Sequence, residues 1–87
     1  PQFITMTNPS IFTTSDLALS TSLVCFNHPL ITVSKEGSKW IFEFQNTLEL
    51  QNDVKKFFDY ELLIEPMDYF NTLKTLKTRL YNHSDIW

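Results

Sequence analysis

The chain is 87 residues long, enough for one folded unit and too short for two, since domains run from about 50 to 200 residues. Its 43% hydrophobic, 15% aromatic and 20% charged residues are the balance of a globular chain and exclude an intrinsically disordered one. A formal charge of −3 argues against general affinity for phosphate backbones, and a single cysteine, Cys25, excludes both an intrachain disulfide and a cysteine-based zinc cluster.

Residues 1–12 read as a flexible lead without the basic and apolar regions of a signal peptide. Thr13-Thr14-Ser15-Asp16 then offers capping oxygens ahead of Leu17, Leu19, Leu23, Val24 and Phe26, which predicts a first helix over residues 14–26. Pro29 ends it, because proline disfavours helical geometry in His28. Leu30 to Ser34 and Lys39 to Gln45 are β-branched and aromatic, and the lone glycine, Gly37, lies in the four-residue loop that makes them a hairpin. Period-two alternation puts Trp40, Phe42 and Phe44 on one face of the second strand.

Asn46-Thr47-Leu48-Glu49 reads as a capping box, with Leu50, Val54, Phe57 and Phe58 at helical spacing behind it, so a second helix runs to about Asp59. Tyr60 to Ile64 fits a short third strand or an extended linker equally well. Pro66 suits the first turn of a last helix, whose apolar stripe is read as Met67, Phe70, Leu73, Leu76 and Leu80 with Tyr69 and Tyr81 at its margins. The expected architecture is therefore α+β: one domain over residues 13–83, helices packed on one face of a small antiparallel sheet, and a tail over residues 84–87.

Three stretches carry a family resemblance: Phe12 to Leu19, Trp40 to Phe44, and Leu73 to Tyr81. Their order resembles that of a small uncharacterised family, a domain of unknown function found in bacterial and phage proteins, with a T-x-D-L opening, an F-x-F strand and a final helix ending in L-K-x-R-[IL]-Y. Pro66 and Phe70 match the proline and aromatic that precede that ending. Where members read Gly-Phe after the first helix, this chain has Asn27-His28-Pro29. The resemblance implies a compact domain of microbial or viral source and supplies no reaction, ligand or site residue.

Read for chemistry, the residues favour no enzyme. His28 and His83 lie far apart without zinc spacing, and Cys25 sits among apolar neighbours as an inert thiol would. Glu61, Glu65 and Asp68 lack the glycine-containing loop of a calcium site and are explained by the start of the last helix. No metal or other cofactor is expected. Lys55, Lys56, Lys74, Lys77 and Arg79 form the basic grouping, and Ile86 and Trp87 form an apolar tip. These seven are the candidate partner-binding residues. The expectation is a non-enzymatic interaction module or accessory subunit, cytoplasmic and off the membrane, that binds another protein or itself. A nucleic-acid accessory role through the Lys/Arg set comes second, and stacking of bases on Trp40, Phe42 and Phe44 would require an open sheet face.

Overall fold

A computed structural model describes residues 10–84, with side chains as far as Tyr81. Among them the order is β1 (Ile11–Thr14), α1 (Leu17–Cys25), β2 (Leu30–Glu36), β3 (Lys39–Gln45), α2 (Leu48–Phe58) and α3 (Pro66–Ser84). The strands form one antiparallel sheet in the order β1-β3-β2. Its third strand is Ile11–Thr14 and not residues 61–65, which form no strand. Most of the expected lead lies outside the described residues, but Ile11 and Phe12 pair with Gln45 and Phe44 and belong to the sheet.

Gly37 takes φ +62 in a loop of two residues, Gly37 and Ser38, because Glu36 already pairs with Lys39. A glycine of positive φ at the first loop position is the arrangement of a type II′ turn, whose twist suits a hairpin. On β3 the alternation holds. Phe42 and Phe44 are buried at 1% and 0% exposure, and Trp40 is half-buried with the Lys35 ammonium 5.3 Å from its ring. Strand β2 presents a harder problem, since Leu30 and Val33 both pack on the core yet stand three apart, a spacing that strict alternation sends to opposite faces. A register shift between Leu30 and Thr32 resolves it: Leu30 pairs with Phe44 and Val33 with Phe42, leaving Ile31 as the extra residue of a β-bulge.

Helix α1 starts at Leu17, later than its hydroxyl-rich approach predicts, because Ile11–Thr14 is drawn into the sheet. Asp16 is the N-cap, its carboxylate accepting from the Leu19 amide at 3.0 Å, while its own amide donates to Thr14 Oγ1 at 3.1 Å. Five consecutive residues, Leu19 to Leu23, are buried, so the middle of this helix is enclosed on every side. The sequence there is Leu-Ser-Thr-Ser-Leu, and its small side chains leave room for both α2 and α3 to pack against a helix of 9 residues. Thr21 and Ser22 return their hydroxyls to the Leu17 and Ala18 carbonyls at 2.8 and 2.9 Å; buried Ser20 Oγ has no partner among the described residues.

The first helix ends at Cys25, with Phe26 as its C-cap, four residues before Pro29. Asn27 adopts φ +66, its amide donates to the Val24 carbonyl, and the His28 amide reaches the Leu23 carbonyl, the paired bonds of a Schellman motif.

Helix α2 is capped by Thr47, whose hydroxyl accepts from the Leu50 amide at 3.0 Å, and not by the expected Asn46 with Glu49. Asn46 is engaged otherwise: its amide donates to the Ser10 carbonyl beside β1, and its side chain accepts from Gln51. Of the four apolar residues expected inward, Leu50 is buried, Val54 and Phe57 are half-buried, and Phe58 is 59% exposed.

On α3 the buried seam differs from the expected stripe. Met67 and Phe70 are 56% and 50% exposed, whereas Tyr69 and Leu73 are half-buried and Leu76 and Leu80 buried. Helical geometry explains the correction. Repeated steps of three drift by about 60° each, so Met67-Phe70-Leu73-Leu76 winds around the helix, while Tyr69-Leu73-Leu76-Leu80, in steps of four, three and four, holds one line. The core on which these elements converge is Leu19, Leu23, Phe42, Phe44, Leu50 and Leu80, with Phe12, Leu17, Val33, Trp40 and Phe57 packed around it.

Candidate protein-docking groove

The second helix ends with the same backbone device as the first. Tyr60 adopts φ +60, its amide donates to the Phe57 carbonyl at 3.2 Å, and the Glu61 amide donates to the Lys56 carbonyl at 2.8 Å. A residue with a β-carbon in this conformation costs roughly 1 kcal/mol relative to glycine. Its ring is 95% exposed, so no packing within the described fold offsets that cost.

Beyond Tyr60 the chain runs without regular secondary structure to Pro66, and its side chains alternate in exposure. Leu62 and Ile64 turn inward and are half-buried; Glu61, Leu63 and Glu65 stay exposed, Leu63 at 86%. Pro66 then opens α3, with the Glu65 carboxylate accepting from the Asp68 amide at 2.9 Å as a cap. Between the end of α2, this connection and the first turn of α3 lies an open groove of about 510 Å³, walled by Phe57, Tyr60, Leu62, Ile64, Pro66 and Tyr69 and floored by Ser22 of α1. Its walls are apolar or aromatic, with the phenol groups of Tyr60 and Tyr69 as their polar points.

The residues singled out for partner binding are not gathered into one site. Lys55 and Lys56 stand exposed on α2, and Lys74, Lys77 and Arg79 stand exposed on α3. These two helices are joined through α1, which packs against both. Lys55 is committed to Asp59 at 2.8 Å, and that hydrogen bond, followed by the charge of Asp59, holds its ammonium above the usual lysine range. The Lys74 ammonium lies 5.2 Å from the Phe70 ring, a cation–π contact. Ile86 and Trp87 fall outside the described residues.

Two contacts were not legible as spacings. His28 Nε2 lies 2.6 Å from Asp53 Oδ2, with both side chains largely shielded, tying the turn after α1 to the middle of α2. Cys25 is half-buried and its thiol points at the Asp68 carbonyl, 3.7 Å away. A histidine and a carboxylate orient each other well, and here the contact joins two elements of the fold. No cluster of three or more His, Cys, Asp or Glu side chains suited to a metal occurs among the described residues.

Residues 10–82 match the domain of unknown function DUF5659. The chain belongs to this family. The match begins one residue before β1 and ends in the last turn of α3, so it spans every element described above. No curated protein and no solved structure matches the chain. Among the described residues, no helix is long and apolar enough to cross a membrane. For this DUF5659 domain the groove was missed from sequence because its residues come from three helices and the connection between two of them. The signal available was Glu61-Leu62-Leu63-Ile64-Glu65, three apolar residues in a row between two helices, a run that a mere connection does not require.

Proposed function

We propose that this DUF5659 domain is a non-enzymatic protein-interaction module that docks a partner at the groove between α2 and α3. One observation carries the reading: within a single connection and its flanks, Phe58, Tyr60, Leu63 and Met67 are all more than half exposed beside an apolar groove, although the core has sites for large side chains elsewhere. Exposed apolar groups cost solubility, and concentrated at one place they mark contact surfaces. The same reading puts the protein in the cytoplasm of a bacterial or phage-infected cell, on the strength of its single cysteine and the family resemblance.

A photo-crosslinking amino acid in place of Phe58, in the full chain expressed in its own host, is expected to yield a discrete protein adduct. The same group in place of exposed Gln51 on α2 should not. Equal labelling from both positions, or none from either, would end the proposal.

A nucleic-acid accessory role is the second reading. It is favoured by the charge of residues 69–84, which contain Lys74, Lys77 and Arg79 and no Asp or Glu, and opposed by the overall charge of −3. The cover that helices place over Phe42 and Phe44 supplies no stacking platform to support it. Retardation on a gel that weakens as salt rises would favour this reading over docking.

A further inference from the structure

The chemistry of the groove's rim goes further than the docking reading on which it rests. From Phe58 to Phe70 the chain contains Asp59, Glu61, Glu65 and Asp68 and no Lys, Arg or His. Asp59 is paired with Lys55, but Glu61, Glu65 and Asp68 are exposed and make no ion pair among the described residues. Their placement follows from the local structure. Alternation along the connection turns Leu62 and Ile64 into the groove and leaves Glu61 and Glu65 on the solvent side of the same strand of chain. The groove is thus an apolar trough with uncompensated carboxylates along one lip, and Tyr60 stands at its end with its ring in water.

We propose that the occupant of this trough is a segment of another protein that carries large apolar side chains flanked by lysine or arginine. Burial of the apolar groups supplies the affinity, and the rim carboxylates supply orientation and rate of encounter, because complementary rim charges steer association more than they strengthen it. An acidic segment is rejected by the same lip. A second copy of this chain is disfavoured as the occupant, since a face from 58 to 70 laid on itself would bring like charges together.

The test uses two synthetic peptides of identical apolar content, Leu-Trp-Leu flanked by two lysines on each side and Leu-Trp-Leu flanked by two glutamates, titrated into the isotope-labelled full chain and followed by amide NMR shifts. The lysine-flanked peptide is expected to shift the amides of Tyr60, Leu62, Ile64 and Tyr69 and to bind about tenfold more tightly than its glutamate counterpart. A Glu61→Gln, Glu65→Gln double variant should abolish that preference while still binding both, and far-ultraviolet circular dichroism checks that it is folded. Equal affinity for the two peptides at the groove would overturn the charge inference and leave the docking reading standing. No shift with either would remove both, and groove amides that move with protein concentration alone would replace the partner with a second copy.

Discussion

At the end of α1, Asn27 turns into the left-handed region and passes its amide and that of His28 back to the last helical carbonyls; at the end of α2, Tyr60 and Glu61 repeat those bonds. Asparagine tolerates that backbone more readily than tyrosine does. After Asn27, the chain is anchored at once: His28 is held by Asp53, and the Pro29 carbonyl accepts from the Gln45 amide at the edge of β3. After Tyr60, the side chains that follow alternate between an open groove and water. One helix end is thus explained by what the fold needs. The other carries a strained, exposed aromatic that the fold alone does not account for, and for this reason the proposed docking surface lies there.

The comparison can be broken most forcefully at the anchored end. Asp53→Ala leaves the shielded His28 ring without its partner and is expected to cost about 2 kcal/mol, read as a lower urea midpoint at unchanged slope. A loss below a few tenths would show that the pair does not hold the turn. At the open end the sign reverses. Tyr60→Gly relieves the left-handed tyrosine and should stabilise the domain by about 1 kcal/mol, less a fraction for the greater freedom of the unfolded chain, while weakening the lysine-flanked peptide in the NMR titration. A stability that falls instead would mean the ring is needed for folding. The smallest effect belongs to Lys55→Gln. The Lys55 ammonium is held above its usual range by Asp59, so its contribution is fully present below the unfolded pKa and lost only as pH rises through the raised one. The pair is exposed, so no measurable change in melting temperature is expected near neutral pH.

Local signals explain which parts of this molecule could be read in advance. The hairpin, its inward aromatic face and the existence of three helices follow from one glycine, alternation and periodicity over neighbouring residues. The third strand did not, since Ile11-Phe12-Thr13-Thr14 is too short to declare itself until β3 offers it an edge. The cap of α2 fell to Thr47 because Asn46 is taken by Ser10 and Gln51, a contest invisible in the motif itself. The phase of α3 was misjudged because Phe70 and Tyr69 are adjacent and both aromatic, and only the position of α1 decides which faces inward. His28 and Asp53 are 25 residues apart and carry no common pattern. The residue after the first helix does connect the two levels: its position needs a side chain at ease with positive φ, and Asn27 meets the requirement without being glycine.

The extra residue in β2 has a consequence for how this chain can change over generations. Ile31 is 44% exposed, so many side chains would serve in its place. Deleting it would also be accommodated, because Leu30 and Val33 would then stand two apart, strict alternation would turn both inward, and their pairing with Phe44 and Phe42 would become regular. At this position the fold dictates neither an identity nor a length: a codon there is free to drift and free to be lost.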